Sequence, residues 1–511
     1  MAAEMDADIL IIGSGAGGGT LARALAPWGL SILVLERGDY LPREKENWDA
    51  QTLFNTDRYH TSEQWFDGQD RPFTPVTGYQ VGGNTKFYGA AILRRRTGDF
   101  SVRRHKDGET VPWPLGYDDF APYYQQAETW YFAHGEAGID PTEPPRDAYP
   151  YPPLFQEARM QSIRDALSRQ GLHPFPLPMA IHRDDGHPGS SPCIRCNTCD
   201  GFPCLLHAKG DAEICGMTPA LAYPNVRLVT RTRAIRLVSS EEGHITAVEA
   251  EGPDGARRFQ ARTYVLAAGA VNSAALLLRS ASDHYPRGLA NSSGQVGRNY
   301  MCHLNSACIA IDPVHDNPTV FQKTLAINDF YEHSGLPDFP FPLGHIQNLG
   351  KVTPDILLAQ RPYFPKALCT WVSRHSVDWW LTTEDLPHPD NRVTLKADQS
   401  IQLSYRSNNE TAHYRLRQHW KSILHQIGFP WVFFQRMGIN AVAHQVGTLR
   451  FGDDPAQSVF NRDCRSHELD NLYVADASFM PSISAVNPSL TIMANALRVA
   501  EILRHHLAVK T

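Results

Sequence analysis

Residues 8–36 read as one strand–turn–helix–strand unit, and its turn constrains the chain more than any other feature. The apolar run from Asp8 to Ile12 stops at Gly13-Ser14-Gly15-Ala16-Gly17-Gly18-Gly19. A helical pattern follows from Thr20 to about Trp28, and a second apolar run, Ser31 to Leu35, ends at Glu36-Arg37-Gly38. Gly13-x-Gly15-x-x-Gly18 after a buried strand allows a turn too tight for side chains. It also turns backbone N–H groups and a helix N-terminus toward a pyrophosphate. Glu36 stands eighteen positions beyond Gly18, the spacing of an acid that accepts from a ribose hydroxyl. A bare packing turn would explain the glycines but not the acid. The carboxylate disfavours NADP, whose 2′-phosphate it would repel; the fingerprint does not separate NAD from FAD.

At 511 residues the chain is long enough for two or more domains. Its net charge of −6 includes no basic run, which excludes an electrostatic footprint for nucleic acid or an anionic membrane. No apolar stretch approaches the roughly 18–20 residues needed to span a bilayer. The start, Met1 to Asp8, is acidic and lacks the basic segment of a signal peptide. Nine cysteines, four of them bunched between 193 and 204, fit a reducing compartment better than a disulfide framework. The expected location is cytoplasmic.

Further along, a glycine-rich patch, Val81-Gly82-Gly83-Asn84-Thr85, leads into Tyr88-Gly89-Ala90-Ala91. The spacing predicts helices near Tyr117–Trp130, Phe155–Gly171, Asp211–Ala222, Val271–Ser280, Thr411–Ile427 and Pro488–His506. Strands are expected at Val226–Thr230, Ala234–Ser239, Ile245–Glu251, Thr263–Gly269, Asn391–Lys396, Ile401–Tyr405 and Leu472–Asp476. The fold class is α/β. A Rossmann-like nucleotide domain is assembled from residues 1–100, 205–300 and 440–511. A substrate domain, built on an antiparallel sheet plus helices, comes from 101–204 and 301–439.

Several motifs in order along the chain resemble the glucose–methanol–choline (GMC) oxidoreductases. They are Gly13–Gly18, Glu36-Arg37-Gly38, Gly82-Gly83, Ala267-Ala268-Gly269-Ala270-Val271-Asn272-Ser273, His444-x-x-Gly447-Thr448 and Asn487-Pro488-Ser489. The resemblance implies FAD, held through Gly13, Gly15, Ala16, Gly17, Gly18, Glu36 and Arg37. It places Gly82, Gly83, Asn84, Tyr88, Gly89 and Ala90 beside the flavin and pyrophosphate. Phe87 occupies the place where some relatives carry a histidine bonded to the flavin, so FAD is expected to be non-covalent. Arg233-Ala234 resembles the segment whose backbone touches adenine. Ala268, Gly269, Asp476, Ala477, Pro488 and Thr491 match further cofactor positions.

The same resemblance makes His444 the base and Asn487 its partner, 43 positions on. Alcohol oxidation requires a group that takes the hydroxyl proton, and a histidine suits that step. Asn487 also has an ordinary alternative as the N-cap of a helix starting at Pro488. The spacing Cys193-x-x-Cys196-x-x-Cys199-x-x-x-x-Cys204 approximates a metal-binding run, yet similar relatives hold this loop without metal, and no metal is expected. The loop 82–89 and the cysteine segment look most like bacterial pyranose-oxidase-like members, which include glycoside 3-oxidases. The activity implied is oxidation of a secondary hydroxyl of a sugar or glycoside, C-glycosides included, at C3 to a ketone. Reoxidation would be by O2, with a quinone or cytochrome acceptor and a non-redox lyase as alternatives.

Overall fold

The run Ala7–Ile12 is the middle strand of a five-stranded parallel sheet. Ala261–Leu266 and then Leu472–Val474 lie on one side of it, Ile32–Leu35 and then Val226–Val229 on the other. A sheet covered on both faces requires apolar runs rather than alternation, and Ile9, Leu10, Ile11, Leu33, Val34, Val265 and Leu266 are all buried. The structure, a computed structural model, describes residues 5–508 apart from 57 and 198. The first four residues of the acidic start and the last three of the chain lie outside the described residues.

The first helix, Ala16–Leu25, begins four residues earlier than the apolar pattern predicts. Gly17, Gly18 and Gly19 belong to it despite the cost of glycine in a helix. Backbone contact overrides that cost. A Cβ on Gly17 would collide with the Ala475 carbonyl, and one on Gly18 with the carbonyl of Gly13. The long C-terminal helix, Ser489–Ala508, packs beside this helix, and Tyr117–Trp130 packs on it in turn. The helix expected over 211–222 is a wide π turn, Glu213–Met217, followed by Thr218–Leu221. A Cβ on Gly216 there would press on the backbone of Gly19.

The second large layer is a six-stranded antiparallel sheet. Its spatial order is Trp431–Arg436, Leu304–Ile311, Ser376–Thr383, His345–Asn348, Leu325–Ile327 and Phe175–Pro176. One face packs against helices Ala158–Arg169 and Glu410–Gln426 in a core that includes Cys308, Trp379, Leu416 and Trp420. The other face, carrying Ala307, Ile309, Gln347 and Trp380, fronts a cavity. The aromatic stretch 371–380 therefore divides by strand parity. Trp379 is fully buried, edge-on to Trp420 at 4.9 Å between centroids, while Trp380 lines the cavity. A four-stranded sheet joins Trp65–Asp67 and Pro72–Phe73 to Arg392–Leu395 and Ile401–Ser404, tying the N-terminal segment to the intervening one.

Trp379→Ala is expected to cost about 3–5 kcal/mol, as emptied aromatic core sites do, read as a lowered urea midpoint. Trp380→Ala removes a cavity wall and should cost far less. Equal losses would refute the parity assignment.

Candidate active site

A cavity of about 1670 Å³ lies between the carboxyl ends of the parallel strands and the exposed face of the antiparallel sheet. Every parallel strand leads into it: Gly13–Gly17, Glu36-Arg37, Thr232–Ala234, Ala267–Asn272 and Asp476-Ala477 all line it. Ligands of such sheets bind outside the carboxyl ends of the strands. The volume exceeds the roughly 300–1,000 Å³ of ordinary small-molecule pockets, which leaves room for an elongated cofactor and a second molecule.

At the sheet end two glycines face one another. A Cβ on Gly83 would stand 3.1 Å from the Gly15 Cα, so the two loops meet without side chains between them. Glu36 is 5% exposed; it accepts from Ser14 N–H at 3.1 Å, Ser14 Oγ at 2.6 Å and Gly38 N–H at 2.9 Å. Burial raises its pKa, opposed by those hydrogen bonds. Asp476 is spent inside the protein: its carboxylate accepts from Gly269 N–H, Ser273 Oγ, Ser478 N–H and Ser478 Oγ. Burial raises its pKa as well. Arg37 pairs with Glu63 at 3.0 Å and lies over the Tyr79 ring. Arg233, Ala234, Ala268, Asn84, Tyr88, Gly89 and Pro488 also line the cavity.

Gly18, Gly82, Ala90 and Thr491 are not among the lining residues. Gly18 serves helix–strand packing. Gly82 takes a left-handed φ of 89° that starts the Gly83–Lys86 turn. Ala90 is fully buried, and its carbonyl accepts from Ala180 N–H. The Thr491 hydroxyl is buried against Tyr124 Oη at 2.9 Å.

His444 and Asn487 line the same cavity. Gly447 explains the glycine of the His444 motif. Its φ is 95°, and a Cβ there would strike the Asn299 carbonyl, so only glycine lets these segments cross. That crossing allows Met301–Cys302 to pair with Gln445–Val446 and brings His303 against His444, Nδ1 to Nδ1 at 2.9 Å. His303 Nε2 lies 2.8 Å from the Ser484 carbonyl, a pure acceptor, so Nε2 carries the proton. Burial, reinforced by His444, drives the His303 pKa well below its usual value. The neutral ring can then only accept at Nδ1. His444 must donate from Nδ1, which leaves its Nε2 unprotonated. Burial, with a smaller push from the Lys323 ammonium, lowers the His444 pKa to about 4. Lys323 is itself ion-paired to Asp200.

Asn487 does not cap the last helix, which begins at Ser489, with Ile492 N–H donating to the Pro488 carbonyl. The capping alternative is corrected: the cap position falls on Pro488, one residue beyond Asn487. The Asn487 amide has no hydrogen-bond partner among the described residues.

His303 was invisible to motif reasoning, because only the pairing of two short strands far apart in sequence brings it to His444. Lys323 and Asp200 likewise meet across 123 positions. Cys193 and Cys199 are buried, and Lys209 Nζ donates to the carbonyls of Tyr88, Cys199 and Phe202, fastening the cysteine loop to the cavity wall. Among the described residues no group of three or more His, Cys, Asp or Glu is placed to hold a metal.

Two family models, both described as GMC oxidoreductase, match residues 7–305 and 387–496. The chain belongs to the GMC oxidoreductases. It is 32% identical to 6'''-hydroxyparomomycin C oxidase of Streptomyces lividus, over 98% of this chain and 92% of that protein. It is 32% identical to paromamine 6'-oxidase of Streptomyces fradiae, over 97% and 90%. Pyridoxine 4-oxidase from Mesorbium loti superposes with a TM-score of 0.69 at 19% identity, covering 98% of this chain and 100% of that one.

This GMC oxidoreductase is therefore an FAD-dependent enzyme acting on CH–OH groups. Its residues fit the cofactor: a wall without side chains where Gly15 meets Gly83, a buried Glu36 held at the same turn by Ser14, and His444 with an unpartnered Asn487 amide lining the same cavity. Among the described residues no helix is long and apolar enough to cross a membrane.

The histidines give this enzyme a definite acid response. His444 and His345, each lowered to about 4 by burial, refuse protons that the unfolded chain takes up at about 6.5. The unfolded state binds more protons between those values, so stability is lost as pH falls from about 6.5 toward 4. Melting temperatures across that range should show the drop, and His345→Gln should flatten it.

Proposed function

We propose that this enzyme oxidises a secondary hydroxyl of a neutral sugar or glycoside, at C3, to a ketone. The single observation that carries the chemistry is the His303–His444 contact, which bares one nitrogen of His444 in the cavity. Bound FAD, held without a covalent bond, supplies the hydride acceptor. His444 Nε2 takes the hydroxyl proton, and the Asn487 amide orients the hydroxyl. His303 holds the ring of His444 and shares the positive charge through Nδ1. Gly13, Gly15, Ala16, Gly17, Glu36, Arg37, Gly83, Asn84, Tyr88, Gly89, Arg233, Ala234, Ala268, Gly269, Ala477 and Pro488 line the lane for the cofactor.

Charge favours a neutral substrate over a polyamine sugar. Among the described lining residues the carboxylates are Glu36, Asp200 and Asp476. Glu36 and Asp476 are used within the sheet end, and Asp200 is held by Lys323 and by Gly350 N–H at 2.6 Å. Of the wall's cations, Lys351 is ion-paired to Asp378 and Arg436 to Glu410, while Arg361 has no carboxylate partner among the described residues. An aminoglycoside, the substrate that the names of the Streptomyces relatives indicate, would find no unpaired carboxylate among the described lining residues to receive its ammonium groups. Trp371, Trp380, Trp431 and Phe433 offer instead apolar faces suited to a pyranose or an aglycone. The C3 position rests on the likeness of residues 82–89 and 193–204 to glycoside 3-oxidases. O2 is the proposed acceptor, and the reaction takes place in the cytoplasm.

Anaerobic addition of methyl glycosides should bleach the bound flavin, and admitting oxygen should restore its colour. His444→Ala should keep FAD and slow bleaching by about 10²–10⁴-fold, the usual worth of a general base. Because His444 stays neutral down to about pH 4, the bleaching rate should hold between pH 7 and 5. Bleaching by paromamine but by no neutral glycoside would overturn the substrate assignment. A quinone that reoxidises the enzyme where oxygen does not would overturn the acceptor.

A further inference from the structure

A polar chain runs from the protein interior to the cavity floor with no part in the chemistry above. Arg96 is ion-paired to Asp140, and both are buried. The Asp140 carboxylate also accepts from Asn328 Nδ2 at 2.7 Å, so the Asn328 carbonyl oxygen points the other way, 2.7 Å from His345 Nδ1. His345 is fully buried and neutral, its pKa lowered to about 4 by burial. Facing a carbonyl oxygen, its Nδ1 must carry the proton, and its Nε2 can only accept. In the structure the Gln347 carboxamide oxygen, Oε1, lies 3.2 Å from that Nε2. Oxygen toward His345 sets two acceptors face to face. Carboxamide orientation is decided by such partners, so the amide nitrogen of Gln347 belongs toward His345 and its oxygen toward the cavity that Gln347 lines.

The sheet register completes the picture. Gln347 is directly opposite Trp380 on the neighbouring strand, and opposed side chains stand about 4.5–5.5 Å apart at Cβ. Both belong to the face that lines the cavity.

We propose that Gln347 and Trp380 form a sugar subsite in which the Gln347 oxygen accepts a hydrogen bond from one ring hydroxyl, its direction fixed by Asp140, Asn328 and His345. This deepens the reading of the enzyme as a sugar or glycoside oxidase and rests on it. An unsupported carboxamide turns over and takes a donor or an acceptor alike. One locked by a buried ion pair rejects a ring position that cannot donate, because its oxygen is then left unpaired.

The test uses FAD-loaded protein carrying His444→Ala, so that sugar binds without turnover and is titrated by the change in flavin absorbance. The probes are methyl β-D-glucopyranoside and its 2-, 3-, 4- and 6-deoxyfluoro analogues, in which fluorine cannot donate. At one position the fluorine should weaken binding by about tenfold, the fold-change of one good hydrogen bond. Adding Gln347→Ala should shrink that penalty to within about twofold. Gln347→Glu, which still presents an acceptor, should keep it. Asn328→Leu, remote from the cavity, should relax it by freeing the amide to turn. An unchanged penalty in Gln347→Ala, or no selective position at all, overturns the subsite while leaving the oxidase reading intact. Failure of the parent glycoside and of methyl β-D-galactopyranoside to bind overturns both. Independently of any sugar, 15N spectra of histidine-labelled protein, assigned with His345→Gln, should show His345 protonated at Nδ1 and bare at Nε2. The opposite tautomer overturns the proposal.

Discussion

Everything at the site depends on how closely one helix can approach one sheet. Ala16–Leu25 lies so near the ends of the strands Ala7–Ile12 and Leu472–Val474 that side chains at Gly17 and Gly18 have no space. That contact brings the helix N-terminus to the carboxyl edge of the sheet, where free N–H groups can meet a diphosphate. It also aligns five strand ends along one cavity. A single β-carbon at these positions would lift the helix and disperse the lane. The glycines are thus a packing requirement first, and a binding feature because of it.

A second crossing, at Gly447, sets the chemistry. Here too the absence of a side chain lets backbones meet, and the strand pair that follows places His303 on His444. Two neutral histidines in contact have an order: one must donate and the other accept. The Ser484 carbonyl decides that order for both rings. The same logic acts in the row Asp140, Asn328, His345, Gln347, where a buried carboxylate decides the orientation of an amide at the cavity wall. In each case a fixed acceptor within the fold specifies which atom is shown to the ligand. Buried polar groups must be paired, and that obligation carries direction as well as energy.

Much of this was legible in one dimension. The fingerprint, Glu36, the helix at Tyr117–Trp130 and the strands at 226–229 and 261–266 follow from local patterns of apolar and small residues. His444 and Asn487 stood out through the motifs around them. The start of the first helix was misjudged because glycine propensity says nothing about a facing carbonyl. The alternative reading of Asn487 as a cap rested on Asn-Pro being good cap chemistry, whereas the helix takes Pro488 at that position. Gly18 and Thr491 lie behind the wall, one under a strand and the other against Tyr124.

The sequence by itself determined the nucleotide unit and the residue types able to do the chemistry. These depend on neighbours within a few positions, where chain geometry is fixed by steric and hydrogen-bonding rules. Only the tertiary structure decided which nitrogen of His444 is bare, which end of Gln347 faces the cavity, and that Asp200 is neutralised by Lys323. Each of these is set by a partner more than a hundred positions away, or, for Gln347, through a chain reaching back to Asp140. Local pattern has no access to such partners, because only folding of the two layers around the cavity brings them together.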